Sequence, residues 1–421
     1  MKNIRKFEMI ADKDAAVLED VSIVYVNEND KVYTTPENGE QGGDTVKNYM
    51  RFVAVEDSQI KLNAIDYHTW EYVKPTVNLM INKNMEGWIE WDFTPIPLAA
   101  GETLYLKGDN QNGFSVVVEN WTGVTYSFGG MNEDGNGSTG KFECHGNIMS
   151  LLYSDEFEDK TTIPNAYCFS GLFADCSSLT TAPKLPATTL AYGCYDSMFY
   201  ACKSLTNAPE LQATTLADEC YYNMFSNCTN LTTAPELPAT TLAEMCYGMM
   251  FNGCTSLTTA PSILPATTLA GVCYNYMFVG CTSLTTAPEL PATKLATACY
   301  NGMFAGCASL TTVPELPATI LDSYCYCEMF YNCTSLTTAP ELHALELTEG
   351  CYDAMFAGCT SLNHITMLAT NIPAYRCLYN WVRGVSSTGT FVKHPNMTSL
   401  PTGTSGIPEG WTVEDAVLSV N

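Results

Sequence analysis

The stretch Cys220-Tyr221-Tyr222-Asn223-Met224-Phe225-Ser226-Asn227-Cys228-Thr229-Asn230-Leu231-Thr232-Thr233-Ala234-Pro235 decides how this chain folds. Its pattern, Cys-Tyr-x-x-Met-Phe-x-x-Cys-x-x-Leu-Thr-x-x-Pro, recurs through the second half of the sequence with a period of 26 residues. The phenylalanine falls at Phe173, Phe199, Phe225, Phe251, Phe278, Phe304, Phe330 and Phe356. Only the step from Phe251 to Phe278 is longer, by one residue, because Pro261-Ser262-Ile263-Leu264-Pro265 replaces the Pro-Glu-Leu-Pro of its neighbours. An extra residue that leaves the next repeat in register must lie in a loop.

Within one repeat, Cys194, Tyr195, Met198, Phe199 and Cys202 project at about 0°, 100°, 40°, 140° and 80° when the chain turns 100° per residue, so the spacing predicts a short helix with one apolar face. Leu205 to Ala208 then reads as a very short strand, and Pro209 can neither continue a helix nor donate to a central ladder. One such coil cannot bury its own apolar face. Neighbouring coils must stack and merge their faces into a continuous core, the signature of a solenoid. Cys194, Cys220, Cys246, Phe199, Phe225 and Phe251 are the expected core ladder.

Seventeen of the nineteen cysteines are repeat positions, with Cys144 and Cys327 outside the pattern. No histidine recurs with them, which argues against zinc. Stacked coils would bring equivalent cysteines within reach of a disulfide, but no export signal is visible near Met1 to Ala11, so free buried thiols acting as small hydrophobes are expected.

These repeats resemble the BspA-like class of leucine-rich repeats found on surface proteins of gut and oral anaerobes. The resemblance covers about Thr161 to Arg383 and rests on segments such as Cys254-Thr255-Ser256-Leu257-Thr258-Thr259 and Cys281-Thr282-Ser283-Leu284-Thr285-Thr286. The regular Pro-x-Leu-Pro-Ala-Thr segment, as at Pro288 to Thr293, departs from the plainer strand of many relatives. The implied architecture is a leucine-rich-repeat-like solenoid over 156–384, with a short helix and a short strand in each coil.

The N-terminal third is different. It holds Trp70, Trp88, Trp91 and Trp121, four of the six tryptophans, and none of the repeat. Alternation in Gly87 to Phe93 and the run Thr103 to Lys107 read as strands, and a β-sandwich is expected over 49–155. Its tryptophans read first as core, with stacking on carbohydrate as the alternative. Residues 37–48 read as a linker, and 385–421 as a cap closing the last coil. The arm at 1–36 reads as a short helix at Ala11 to Ala16 and a hairpin from Val21 to Val26 and Lys31 to Tyr33. So small a module needs oligomerisation or a docking partner. It is similar to the leading segments of structural proteins of phages that infect gut anaerobes, which implies anchoring to other virion proteins.

A formal charge of -26, from 19 Lys+Arg against 45 Asp+Glu, repels phosphate backbones and excludes nucleic acid as a partner class. No run of 18 apolar residues suggests membrane insertion. The five histidines are scattered, no hydrolase elbow, phosphate loop or dinucleotide glycine pattern occurs, and Cys144 and His145 would point to opposite faces of a strand. No enzyme and no cofactor are expected. Asn132, Asp134, Asn136 and Glu143, with Gly137, match positions 1, 3, 5, 12 and 6 of a calcium loop, although a Gly/Asn-rich hairpin explains them equally.

Binding is the better-supported class. Ser226, Asn227, Asn252, Tyr331 and Asn332, which vary between the phenylalanine and the second cysteine, are candidate contact residues or else turn residues. The Thr-Thr pairs and the tyrosine series from Tyr195 to Tyr352 are further candidates, the latter reading first as core edge. The expected function is non-enzymatic display, as a homo-oligomeric phage fibre or capsid-decoration protein on the virion surface that presents its repeats to a host glycan or surface protein. The alternative is a secreted or cell-surface bacterial adhesin of the same repeat class.

Overall fold

The computed structural model describes residues 21–26, 32–35, 47–66, 68–118, 122–130, 136–372, 374–397 and 400–417. The chain divides into two compact units, Met1–Asn48 and Tyr49–Asn421. In the first, the strands Val21–Val26 and Val32–Thr35 pair antiparallel, as the hairpin reading expects. The helix expected at Ala11 to Ala16 and most of the linker lie outside the described residues.

The described residues of the second unit are almost free of helix. Only Ser150–Tyr153 is α-helical, followed by a 3-10 turn at Ser154–Glu156, and neither belongs to the repeats. The helix expected in every coil is therefore corrected: Cys-Tyr-x-x-Met-Phe-x-x-Cys is a ribbon of tight turns. Alternate amides close turns within the coil, as when Asp196, Met198 and Tyr200 donate to the carbonyls of Gly193, Tyr195 and Ser197. The amides between them, of Tyr195, Ser197 and Phe199, donate to Cys220, Tyr222 and Met224 in the next coil at 2.9–3.0 Å.

This zigzag needs a left-handed residue every fourth position. Gly193, Ser197 and Ala201 have φ of 53°, 53° and 54°, and Glu219, Asn223 and Asn227 follow with 56°, 56° and 60°. The same three places are left-handed in each coil from Tyr167 to Gly384. A four-residue turn places Cys194, Met198 and Cys202 on one side, and Tyr195 and Phe199 beside them. The expected buried face thus survives the change of conformation, and all five side chains are fully buried. The extended half of each coil is equally economical, touching its neighbours through short parallel bridges such as Asn207 to Thr233, Leu185 to Leu211 and Thr189 to Thr215.

The stacked core follows directly. Phenylalanine rings lie parallel at centroid separations of 5.3 Å (Phe173–Phe199) to 5.7 Å (Phe330–Phe356). A second column from Tyr195 to Tyr352 runs beside it at 5.7–6.0 Å. Both columns end on Trp381, which lies 6.1 Å from Phe356 and 6.5 Å from Tyr352. Offset parallel rings at such distances add to the burial of their apolar area. The second cysteine of each coil also ties its coil to the backbone of the one before. The Cys202 and Cys228 thiols donate to the carbonyls of Phe173 and Phe199 at 3.0 Å, and the bond recurs to Cys359. Every described cysteine is a free thiol.

Both ends of the stack are built into sheets. Leu179–Thr181 of the first coil pairs parallel with Phe142–His145, which pairs antiparallel with Met50–Ala54 in a six-stranded sheet. A four-stranded sheet contains Asn63–Asp66 and Tyr72–Val73. Thr103–Gly108 is a strand as expected, whereas the expected strand from Gly87 to Phe93 shrinks to Ile89–Glu90. Phe52 and Phe128 pack against Phe173, and Phe142 packs on Phe52, so one apolar core runs from the N-terminal sheets into the coils. At the other end, His364–Met367, Thr390–Lys393 and Thr412–Asp415 form a parallel sheet that continues the stack beyond the last repeat.

The left-handed positions also explain several glycines. A Cβ on Gly302 would sit 2.1 Å from Cε1 of Tyr276, whose ring crosses that coil so that its hydroxyl reaches Glu328 at 3.4 Å. Tyr167 over Gly193 and Tyr324 over Gly350 repeat the arrangement. Gly302→Ala is expected to cost about 2–3 kcal/mol, from left-handed strain and overpacking together. Adding Tyr276→Ala should recover more than half of that loss in the urea midpoint, and simple additivity of the two changes would refute the clash.

Candidate functional site

The core ladder leaves no room for chemistry or recognition. The tyrosines from Tyr195 to Tyr352 are buried with their rings stacked, so they are core and not a platform. Of the candidate contact residues, Ser226 is 1% exposed and turned inward. Asn227 and Asn332 occupy left-handed turn positions, with side chains lying where a Cβ on Gly253 or Gly358 would otherwise sit. Asn252 and Tyr331 are half-buried on the same edge. These residues share one edge of the turn ribbon without converging on a hollow.

Asn132 and Asp134 lie outside the described residues. The remaining members of the proposed calcium loop already have protein partners. The Asn136 carbonyl accepts from Lys61 Nζ at 2.7 Å and from Asn63 Nδ2 at 3.0 Å, and Glu143 Oε2 meets His145 Nε2 at 2.8 Å. Gly137 packs so closely on Gly129 that a Cβ would come within 2.6 Å of its carbonyl carbon. Among the described residues, no group of three or more His, Cys, Asp and Glu side chains is placed to hold a metal ion. Cys144 is buried while His145 points away from it, as strand alternation requires.

Concavity and exposed apolar side chains coincide on the extended half of the coils. An open groove of about 810 Å³ runs beside the inserted residue, lined by Pro261, Ser262, Glu289, Pro291, Glu315 and Pro317 among others. The insertion contributes to its wall: the Ser262 carbonyl accepts from the Glu289 amide and the Leu264 amide donates back to Glu289, both at 3.0 Å, so Ser262 and Ile263 are held outward where most other coils carry one glutamate. Pro317 also lines a second hollow, of about 720 Å³, together with Thr319, His343, Leu345 and Glu346. There the regular Pro-Ala-Thr gives way to His343-Ala344-Leu345, and Ile320 and Leu345 are each at least half exposed. The His343 ring lies 3.5 Å from Glu341.

Exposed threonine columns flank this surface. The hydroxyls of Thr232, Thr258 and Thr311 each donate to the carbonyl of the threonine one coil earlier, at 3.3–3.4 Å. On the turn flank, the enclosed Asp196 carboxyl is pushed up to about 7, chiefly by burial and against the 2.8 Å bond from Ser197. Sequence reasoning placed the insertion in a loop but missed the groove. The available signal was departure from the repeat at exposed positions, namely Ser262-Ile263, Ile320 and His343-Ala344-Leu345-Glu346.

No curated protein and no solved structure matches the chain. A family model described as the BspA type leucine rich repeat region does match, in six copies, over residues 152–268 and 249–380. Those residues are more than half of the sequence and contain both the turn ribbon and the groove, and on that basis the chain belongs to the BspA-type leucine-rich-repeat family.

Proposed function

We propose that this protein is a non-enzymatic surface adhesion and display protein: a solenoid held rigid by its aromatic and thiol ladders, presenting the insertion groove to a host glycan or surface protein. The N-terminal sheets, read as a β-sandwich, serve as its spacer. The observation that carries this reading is the pair of hollows that share Pro317, one of them lined by exposed Leu345 and by Thr319, with exposed Ile320 next along the chain. Exposed apolar side chains beside concavity mark interaction sites more often than isolated surface residues do. Family membership favours a bacterial cell-surface or secreted setting. The virion setting, with homo-oligomeric anchoring through residues 1–36, rests on the resemblance of that arm to phage structural proteins.

The test is binding of the full chain to mucus-coated surfaces and to host cells. Leu345→Glu and Ile320→Glu, both at exposed positions, should each weaken binding about tenfold without moving the melting temperature. Wild-type binding no greater than that of an unrelated acidic protein, or variants that bind as well as wild type, would sink the reading.

A further inference from the structure

A second surface feature lies on the N-terminal sheets, away from the repeats. The hairpin joining Asn63–Asp66 to Tyr72–Val73 carries Trp70, which is 57% exposed and has φ of 59°. Two costs are combined there, because a large apolar ring faces water and a bulky residue holds a left-handed backbone. The turn is braced to keep it so. Asp66 Oδ1 accepts from the amides of His68 and Thr69, both at 2.9 Å, and the Asp66 carbonyl accepts from the Trp70 amide at 2.8 Å. The Asp66 amide closes the hairpin on the Glu71 carbonyl at 2.9 Å. Beyond it, Tyr72 and Val73 are 36% and 38% exposed, and Lys61 Nζ stands 5.8 Å from the Tyr72 ring centroid. The other tryptophans with described side chains are different: Trp91, Trp381 and Trp411 are buried and Trp88 is half-buried.

We propose that this hairpin is a carbohydrate-binding site, in which the Trp70 ring stacks on the C–H face of a neutral pyranose while His68, Thr69 and Glu71 offer hydrogen bonds to its hydroxyls. The size of the patch selects the ligand class. Trp70 and Tyr72 together expose on the order of 200 Å², given that an aromatic side chain has about 150–250 Å² to bury, while Val73 points to the other face of the strand. A stable protein partner needs about 800 Å² on each side. A single sugar ring needs no more than this patch, and its alternating C–H faces and hydroxyl edge match an apolar ring set among polar neighbours. Net charge makes the ligand neutral, because the field of a -26 chain disfavours sialylated or sulfated sugars. The bracing matters because a platform fixed before binding loses little freedom when the sugar arrives.

The full chain is titrated by calorimetry with neutral pentasaccharides of glucose in α-1,4, β-1,4 and β-1,3 linkage, with sialyllactose as the anionic control. At least one neutral sugar is expected to bind at millimolar strength and sialyllactose is not. Trp70→Ala and Trp70→Gly should each weaken that binding about tenfold or more, and Trp70→Phe by less. Trp70→Gly keeps the left-handed backbone without steric cost, so its melting temperature should stay within about 3 °C of wild type. Absence of binding by all the neutral sugars, equal binding of sialyllactose, binding that survives Trp70→Ala, or a large fall in stability in Trp70→Gly overturns the site. Leu345→Glu at the repeat groove should leave the titration unchanged, which separates this site from the adhesive surface.

Discussion

Between pH 8 and pH 10, in the presence of a reductant, this protein is expected to lose its fold over an unusually narrow range. Burial raises all nineteen thiols above their ordinary value. Cys168, Cys176 and Cys254, for example, are pushed up to about 12. The direction of the pH dependence follows from the proton count. Below the unfolded thiol value of about 8.5, the thiols hold their protons in both states and add no pH dependence. As the pH passes that value the unfolded chain releases protons that the folded chain keeps, so stability falls until the folded thiols ionise in turn.

Each thiol contributes a slope of about 1.4 kcal/mol per pH unit once its unfolded counterpart is ionised. Nineteen acting together give on the order of 20 kcal/mol per unit, more than the total stability of an ordinary domain, about 5–15 kcal/mol. The buried tyrosines from Tyr195 to Tyr352 act in the same sense at higher pH. The urea midpoint followed by tryptophan fluorescence should fall only slightly between pH 6 and 8, as the raised Asp196 carboxyl ionises, and collapse before pH 10. A midpoint at pH 9.5 equal to that at pH 7 would mean that the thiols are not enclosed.

How much of this was legible beforehand depends on which physical quantity a residue reports. Identity at a fixed interval reports burial, and the interval of 26 placed Cys194, Phe199 and their equivalents inside the stack correctly. Conformation was misjudged because the diagnostic stretch, Cys194 to Cys202, is only two turns long. Over eight residues a period of 3.6 and a period of 4.0 differ by about 80°, too little to move a side chain off a broad apolar face. The discriminating signal was weak: glycine recurs before the cysteines and methionines, at Gly193, Gly253, Gly302 and Gly350, but Glu219, Tyr276 and Val272 hold the same left-handed places. Such strain persists only where surrounding bonds over-determine the backbone, and that condition is visible in the coil-to-coil ladder and not in any single repeat. The groove was hidden for another reason. It is walled by residues of three successive coils, such as Ser262, Glu289 and Glu315, whereas the sequence reading sought recognition among the residues that vary most.

Removing one ring from the middle of the ladder should have consequences far from its own coil. Phe278 is fully buried, with Phe251 at 5.5 Å on one side and Phe304 at 5.6 Å on the other. Its amide donates to Met303 at 2.9 Å, and its carbonyl accepts the Cys307 thiol at 3.1 Å. Phe278→Ala deletes both stacked contacts and leaves a cavity that the hydrogen-bonded turns on either side cannot collapse to fill, at a cost of about 3–5 kcal/mol. In a stack whose stability is a sum of nearest-neighbour terms, that loss falls on one junction and lowers the coupling between the coils before and after it. Amide exchange should therefore report two cooperative units where the parent protein shows one. The coils from Phe304 onward end on Trp381 and the three-stranded parallel sheet and should open first, whereas those before Phe251 remain tied to the larger Phe52, Phe128 and Phe142 cluster through Phe173. If protection fell only between Cys273 and Cys281, the coils would be independent globules and the shared core would not exist as an energetic unit.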